Sequence, residues 1–322
     1  MVLDRVNKIK SGISIYTNKK TSNILDGTYK SVYKGKSLNF EDLREYVPGD
    51  NIKDIDWKAS ARNNNLLVKQ FIAEKKHNII LVFDSSKKML ADTSSGEPKK
   101  EIALLSLGTI GYLAQNNGDY IAGVYNKENS VVFYPFRSSL IALEQILANY
   151  EGDVDKTSND ESLEKDLEHI TKYINRKSII FIASDIYGMS TIGESTLKRL
   201  SMNSNILFVE IGDAELSGER VFDVETNSFS PRMFLNNKKL LNEDRKIKEK
   251  LEKDTIDVFN KYAIPFVKIS SATEVVPKIF ELLEKHKNAK RSWVTWFIFI
   301  FDSLHNSICN TIIAFWRLFS GF

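Results

Sequence analysis

The sequence predicts an α/β domain with a doubly wound, mostly parallel sheet. Three short, continuous apolar runs, at 78–83, 178–183 and 206–211, have the profile of strands that are buried on both faces. Amphipathic helical patterns alternate with these runs, which is typical of parallel strands joined by helices. The composition agrees, because 42% hydrophobic and 27% charged residues in a chain of 322 suit a packed core rather than global disorder.

The individual elements follow from turn signals and apolar spacing. The first thirty residues predict a short helix and a loop, and a strand follows over 66–71. From residue 77 the pattern is regular, with helices predicted over 100–115, 140–150, 162–174, 195–202, 243–262 and 272–285. Further strands are predicted over 120–125, 131–134 and 265–269. The stretch 212–241 is less regular and predicts a β-rich insertion.

These changes in pattern divide the chain into three parts. Residues 1–76 form an N-terminal extension that contains a run of distinctive motifs. Residues 77–285 form the α/β domain. Residues 286–322 begin with a basic flank and continue as an apolar tail.

Charge and cysteine content exclude several classes of protein. The formal net charge is +3, from 45 basic and 42 acidic residues, so no nucleic-acid partner is expected. The single cysteine, Cys309, excludes an internal disulfide framework and fits a reducing compartment. The first twenty residues lack an apolar run of signal-peptide length. We therefore expect a cytoplasmic location.

Two motifs in the N-terminal extension have a clear structural role. Pro48 presets φ, Gly49 permits a tight reversal of the chain, and Asp50 can accept hydrogen bonds from the amides of the turn. Trp57 is a large amphipathic side chain, and we expect it to pin the extension onto the α/β domain.

Charged residues around these motifs predict a paired network. Arg44, Glu45, Asp56 and Arg62 combine planar guanidinium groups with carboxylates. One interpretation is that the network only holds the extension in place. The other is that it builds a surface that recognises a partner, and both can be true.

The whole series resembles the signature of a bacterial family, domain of unknown function 58. The residues that carry the resemblance are Arg44-Glu45-Tyr46, Pro48-Gly49-Asp50, Ile55-Asp56-Trp57 and Ala61-Arg62, in order and at the family's spacing. The resemblance extends from about Gly35 to Gly188. It implies a von Willebrand A-like domain after the signature, and a AAA+ ATPase of the MoxR type as partner. The family has no defined activity, so the resemblance predicts no reaction.

The resemblance also raises the question of a metal. Von Willebrand A domains often hold Mg²⁺ with an Asp-x-Ser-x-Ser loop, a threonine and a second aspartate, because a hard cation prefers oxygen ligands. Here Asp84, Ser86 and Asp185 match three of these positions, but Lys88 replaces the second serine. Only Ser138 or Ser139 is available in place of the threonine.

Lys88 leads to two alternatives for this site. An ammonium group has no lone pair for a metal, and it can neutralise Asp84 and Asp185 in place of Mg²⁺. The site is then degenerate, with no cofactor or only weakly bound Mg²⁺. Alternatively, Lys88 points to solvent and the three oxygen ligands still bind Mg²⁺.

Catalytic motifs are not evident in the sequence. The histidines at 77, 169, 286 and 305 are scattered, and there is no nucleophile elbow, phosphate loop or dinucleotide fingerprint. The sequence therefore predicts a non-enzymatic, protein-binding adaptor. The alternatives are a Mg²⁺-dependent adhesion-type domain and a metal-dependent hydrolase that uses Asp84 and Asp185.

The C-terminal tail, Trp293–Phe322, is apolar but interrupted. Asp302, His305 and Asn306 break the run, whereas a spanning helix needs about 20 predominantly apolar residues. Aromatic residues after a basic flank are typical of a helix that lies on a membrane surface. Contact with the inner face of the membrane is our leading expectation, and docking on protein and true spanning are the alternatives.

Overall fold

A computed structural model of the chain describes residues 4–288, with gaps at 17–28, 30–41, 51, 53–54, 64, 71–75, 129, 155–161, 214–221, 224–227 and 230–237. The C-terminal tail and its predicted membrane contact lie outside the described residues. Among the described residues, no helix combines the length and the apolar character that a membrane crossing requires.

Helices and strands alternate through most of the chain. The helices are α1 (Asp4–Tyr16), α2 (Trp57–Asn63), α3 (Lys99–Asn116), α4 (Leu140–Asp153), α5 (Ser162–Tyr173), α6 (Ile186–Ser190), α7 (Glu194–Asn203), α8 (Lys238–Lys261) and α9 (275–288). The strands are β1 (Asp42–Glu45), β2 (Leu67–Gln70), β3 (Asn78–Phe83), β4 (Tyr120–Lys127), β5 (Ser130–Arg137), β6 (Ile179–Ser184), β7 (Asn205–Ile211), β8 (Phe222–Asp223), β9 (Ser228–Phe229) and β10 (Phe266–Ile269). Short 3₁₀ turns cover Lys87–Leu90 and Ala272–Glu274.

The central sheet has the strand order β10-β7-β6-β3-β4-β5. All neighbouring strands are parallel except β4 and β5, which are antiparallel. The chain runs from β3 outward to β5 and then returns to β6 on the other side of β3. This reversal creates a crevice at the carboxyl ends of β3 and β6, where open α/β sheets bind ligands.

Each face of the sheet packs against its own layer of helices. In β3, Ile79, Leu81 and Phe83 point into the core beneath α1, α3, α4 and α9, whereas Ile80 and Val82 point into the core beneath α5, α6, α7 and α8. Because side chains alternate between the faces of a strand, both faces of β3 must be apolar. This explains the continuous apolar runs in the sequence.

Helix α1 belongs to the core of the α/β domain although it lies early in the chain. Val6 and Ile9 are buried against α3 and α4. A side chain at Gly108 would begin 2.3 Å from Ile9 Cδ1, so a glycine permits this close approach. The buried Glu144 of α4 accepts hydrogen bonds from the backbone N–H groups of Arg5 (3.2 Å) and Val6 (2.8 Å). It thereby provides acceptors for amides that have none within the first turn of a helix.

The predicted fold class is confirmed, and most predicted elements lie where they were expected. The strand predicted over 131–134 is longer, because β5 reaches from Ser130 to Arg137 and includes Pro135. A proline is tolerated there because β5 is an edge strand. Within the predicted insertion, the described residues include the short antiparallel pair β8 and β9.

The packing of α4 on the sheet predicts the effect of one truncation. Leu143 is fully buried in this core, so Leu143→Ala should lower the free energy of unfolding by about 2–5 kcal/mol. Ile141 lies on the same helix and is 55% exposed, so Ile141→Ala should change the free energy of unfolding by less than about 0.5 kcal/mol. Urea unfolding followed by circular dichroism measures both variants. If both variants lost the same amount of free energy of unfolding, the packing of α4 against the sheet would be contradicted.

Candidate functional site

Two buried aspartates lie side by side in the crevice. Asp84 directly follows β3 and Asp185 directly follows β6, and both are fully buried. Because Phe83 pairs with Ala183 in the parallel register, the two strands end at the same level. The two aspartates therefore converge through the strand order alone.

Both carboxylate oxygens of Asp84 have hydrogen-bond donors. Oδ1 accepts from the backbone N–H of Ser86 (2.8 Å) and Oδ2 accepts from the hydroxyl of Ser184 (2.6 Å). Burial raises the pKa of Asp84, the charge of Asp185 raises it further, and the donors of Ser184 and Ser86 oppose part of the rise.

The carboxylate of Asp185 is held just as firmly. Oδ1 accepts from the backbone N–H of Gly188 (2.8 Å), so Asp185 caps the start of α6. A side chain at Gly188 would begin 2.1 Å from the Ser184 hydroxyl and 2.4 Å from Asp84 Oδ2. A glycine is therefore needed for α6 to pack this closely against the two carboxylates.

A buried lysine completes the site. Lys99 is at the start of α3 and is 2% exposed. Its Nζ lies 2.8 Å from Asp185 Oδ2 and 2.5 Å from Oδ1 of Asp213, a residue that follows β7. Burial acts to lower the pKa of Lys99, but the carboxylates of Asp185 and Asp213 outweigh it and hold the pKa above its ordinary value. Lys248 of α8 approaches the other oxygen of Asp213 at 3.4 Å.

The ammonium group that contacts Asp185 thus belongs to Lys99. From the sequence we considered Lys88 for this role, and that assignment is wrong. The 3₁₀ turn over Lys87–Leu90 carries Lys88 towards α6, where its Nζ lies 5.6 Å from the centroid of the Tyr187 ring. The chain then folds back, and the N–H of Lys99 donates to the carbonyl of Ala91 at 2.9 Å. A lysine in the first turn of a helix opposes the helix dipole, and this was the overlooked signal in the sequence.

The residues of the crevice do not fit a divalent cation held between Asp84 and Asp185. All four of their carboxylate oxygens accept from N–H, O–H or ammonium donors. An ammonium group already lies at Asp185, and it would repel a metal ion. Across the described parts of the chain, no three His, Cys, Asp or Glu residues are grouped as metal ligands. The side chain of Ser86 is buried beside Asp84 and, together with the Ser86 backbone N–H, acts to lower the pKa of that carboxyl.

The two serines that were considered in place of the threonine lie elsewhere. The hydroxyl of Ser139 accepts from the N–H of Ile141 and caps α4, and that of Ser138 is 3.4 Å from the carbonyl of Gly118. Because β5 runs antiparallel to β4, its end lies beside the start of β4. Both serines are therefore at the opposite end of the sheet from the crevice.

A third buried carboxyl, Asp166 of α5, was not predicted. Its side chain is fully buried. Burial raises the pKa of Asp166 well above its ordinary value, and the charge of Asp84 adds to the rise. A hydrogen bond from the side chain of Asn126 opposes only a small part of this increase in pKa. Asp166 lies on the apolar face of α5 together with Leu163, Leu167 and Ile170, and this position was the available signal.

The motifs of the extension form a small unit, β1–α2–β2, which we call the signature module (residues 42–70). Arg44 makes two hydrogen bonds to the Asp50 carboxylate, at 2.7 and 2.6 Å. The N–H of Val47 donates to the same carboxylate at 2.9 Å, as expected for this turn, and Gly49 has a φ of 114°. The Arg44 guanidinium and the Val47 amide lower the pKa of Asp50 to about 2.

The predicted network among four charged residues takes a different form. Arg44 pairs with Asp50, whereas Glu45 accepts from the side-chain amide of Asn65 at 2.9 Å. Asp56 accepts from the N–H groups of residues 58 and 59 at the start of α2, as a short side chain next to a helix start often does. Arg62 is exposed in the last turn of α2.

The signature module presents apolar side chains to solvent. Trp57 is 63% exposed, so our expectation that it is buried against the α/β domain is wrong. Val47, Ile52 and Leu66 of the same module are also exposed. The backbone N–H of Tyr46 donates to the carbonyl of Leu66 at 2.8 Å, which joins β1 to the segment before β2. The described part of the module thus combines a pair of hydrogen-bonded strands with several exposed apolar side chains.

The sequence from β1 to β8 matches a known family. A family model described as "Protein of unknown function DUF58" matches residues 42–224, which is more than half of the 322-residue chain. The chain belongs to this family. The match includes the signature module, Lys99 and both aspartates of the crevice.

Curated relatives of this DUF58 chain include two mycobacterial proteins that are named as uncharacterized proteins. Proteins of Mycobacterium bovis and Mycobacterium tuberculosis are 24% identical to it over 126 residues, 39% of this chain. The matched part is likewise 39% of the relatives' own length.

Solved structures that resemble this DUF58 chain include von Willebrand A domains. An aerotolerance-related membrane protein from Bacteroides fragilis is 12% identical, with a TM-score of 0.38, and the match covers 65% of this chain and 99% of that one. The VWA domain of SpRpn10 is 12% identical, with a TM-score of 0.37, and the match covers 63% of this chain and 94% of that domain. A von Willebrand factor type A protein from Catenulispora acidiphila is 10% identical, with a TM-score of 0.37, and the match covers 67% of this chain and 43% of that one. The strand order described above, and not these superpositions, defines the fold of this chain.

The buried Asp166 predicts a pH dependence of stability in this DUF58 chain. Because its pKa is raised on folding, the folded state keeps a proton that the unfolded state releases above about pH 4. Asp166 therefore lowers the free energy of unfolding as the pH rises, by at most about 1.4 kcal/mol per pH unit. Urea unfolding between about pH 5 and pH 8 should show Asp166→Asn gaining stability relative to the wild type as the pH rises.

The exposed Glu168 on the same helix provides the control for this prediction. Glu168→Gln should keep the pH profile of the wild type. Parallel profiles for the wild type and Asp166→Asn would contradict the assignment of a retained proton to Asp166.

Proposed function

We propose that this protein is a non-enzymatic adaptor that binds a protein partner through the exposed face of its signature module. The observation that carries the proposal is the exposure of four apolar side chains of this module, which are Trp57, Val47, Ile52 and Leu66. Tryptophan is enriched among the residues that dominate protein–protein binding, whereas isolated exposed apolar residues need no explanation. In this module four exposed apolar residues lie within one stretch, residues 47–66.

Hydrogen bonds hold several described residues of the module in place, which supports the same proposal. The paired hydrogen bonds between Arg44 and Asp50 close the turn before Ile52, and Asp56 fixes the start of α2. A surface that is rigid before binding loses less conformational entropy on association. The charged pair thus stabilises the turn that carries Val47.

The partner we propose is a AAA+ ATPase of the MoxR type at the cytoplasmic face of the membrane. This part rests on the resemblance of the signature residues to the family. The basic flank and apolar tail at 286–322 support a location on the inner face of the membrane.

The two alternative functions receive less support from the geometry. Both the Mg²⁺-dependent adhesion-type domain and the metal-dependent hydrolase need Asp84 and Asp185 as metal ligands. The donors on all four oxygens of these residues and the ammonium group of Lys99 weigh against that role.

A binding measurement with matched variants tests the proposed surface. The probe is a purified MoxR-type ATPase from the same organism, and binding to the full chain is followed by biolayer interferometry. Trp57→Ala should weaken binding at least about tenfold, because a central tryptophan contributes about 2 kcal/mol or more. The melting temperature should stay unchanged, since the side chain is already exposed.

Tyr173 is a suitable control, because it is an aromatic residue of similar exposure, 62%, on α5. Tyr173→Ala should leave the affinity within about twofold of the wild type. If Trp57→Ala and Tyr173→Ala bind the ATPase as tightly as the wild type, the signature module is not the docking surface. If the wild type itself does not bind, the ATPase is not the partner.

A further inference from the structure

A cavity of about 610 Å³ lies at the amino-terminal ends of β3, β6 and β7, at the opposite end of the sheet from the crevice. Its walls come from the segment before β3, the loop between α5 and β6, and the last turn of α7. Three cationic side chains line it, those of Lys76, Arg176 and Lys177, and none of the other described residues that line it is acidic. The volume lies within the range of about 300–1,000 Å³ that is typical of small-molecule sites.

The three cations of this cavity form no ion pair with any residue that the structure describes. Two of them contact aromatic rings instead. The Nζ of Lys76 lies 5.4 Å from the centroid of the Tyr120 ring, and the guanidinium carbon of Arg176 lies 5.9 Å from the centroid of the Phe136 ring. A contact with a ring face attracts a cation weakly and does not use its N–H donors, so these donors can still bind an anion.

The negative charge near the cavity does not balance these cations. Asp119 lies beside His77, which lines the cavity, but its carboxylate accepts from the backbone N–H of His77 (2.9 Å) and the hydroxyl of Tyr29 (2.8 Å). Helices α5 and α7 both end at this side of the sheet, and each C-terminus is equivalent to about half a negative charge. Asp119 and the two helix ends together oppose about two of the three positive charges. Among the described groups a positive charge therefore remains.

We propose that this cavity binds the phosphate group of a small phosphomonoester. The cations come from two chain segments, because Lys76 precedes β3 whereas Arg176 and Lys177 precede β6. A phosphomonoester carries about 1.5 to 2 negative charges at pH 7, which suits three cations better than the single charge of a carboxylate or a phosphodiester. Arginine presents a planar fork of donors to phosphate, and lysine binds it as a point charge.

Uncharged groups of the same cavity complete the site. Asn203, Ser204 and Asn205 line it between α7 and β7, and their side chains make no hydrogen bond to any residue that the structure describes. Their amide and hydroxyl groups can donate to phosphate oxygens that the three cations do not reach. A phosphate group fills only a small part of the volume, so there is room for an organic group. Met202, which is 75% exposed, offers that group an apolar contact.

Isothermal titration of the full-length protein with phenyl phosphate tests the proposal. The wild type should bind phenyl phosphate with a dissociation constant of about 1 mM or below. Inorganic phosphate should bind more weakly, because it leaves the rest of the cavity unfilled. Arg176→Gln/Lys177→Gln should weaken the binding of phenyl phosphate at least about tenfold, since hydrogen bonds from charged groups are lost. Both side chains are exposed, so the variant should melt at the temperature of the wild type.

The matched control is Lys250→Gln/Lys253→Gln, which removes the same charge from two exposed positions of α8. This variant should bind phenyl phosphate within about twofold of the wild type, because exposed charges far from a site are screened by salt. Equal losses of affinity in the two double variants would show an effect of net charge alone and would overturn the proposal. The absence of phenyl phosphate binding to the wild type would overturn it as well.

Co-sedimentation with vesicles of phosphatidylglycerol and phosphatidylcholine distinguishes a free phosphomonoester from the phosphodiester of a lipid headgroup. Arg176→Gln/Lys177→Gln should sediment with the vesicles to the same extent as the wild type. If this variant lost vesicle binding while the wild type bound no phenyl phosphate, the cavity would recognise a headgroup and the proposal would be wrong. None of these measurements uses the ATPase or Trp57, so their failure leaves the proposed docking surface standing, and the reverse also holds.

Discussion

The buried pair of Lys99 and Asp185 is the interaction on which the arrangement of the crevice depends. It joins the start of α3 to the end of β6, and Asp213 extends it to the end of β7. Burying a lysine is costly, and removing one partner of a buried pair costs about 3–5 kcal/mol. Once Lys99 is placed there, the elements around it must keep their carboxylates within reach. The ion pair therefore constrains the end of the sheet where open α/β folds place their ligands.

The molecule has two polar centres of opposite character. The crevice is buried, and each carboxylate oxygen of Asp84 and Asp185 accepts from an internal donor, such as the Ser184 hydroxyl or the Gly188 amide. The signature module is exposed, and its charged pair of Arg44 and Asp50 supports an apolar surface around Trp57. This contrast underlies our proposal that the signature module, and not the crevice, binds a protein partner.

The sequence predicted the fold well and the site only in part. Continuous apolar runs identified the strands because both sheet faces are covered, and their order brought Asp84 and Asp185 together as expected. Periodicity could not show which lysine reaches the crevice, because that depends on how the loop between β3 and α3 folds back. It also could not show that Trp57 is exposed, since a tryptophan suits a core and an interface equally. Asp166 was missed because the helix over 162–174 was predicted without asking which of its acidic residues lies on the apolar face.

The central claim is that the ammonium group of Lys99 takes the place of a metal ion in this crevice. Isothermal titration of Mg²⁺ into the full-length protein tests it most directly, with Lys99→Ser measured in parallel. We predict no binding in the micromolar range for the wild type, and tighter Mg²⁺ binding when Lys99→Ser frees the oxygens of Asp185 and adds a hydroxyl group. Micromolar affinity in the wild type that is lost in Asp84→Ala would contradict the account.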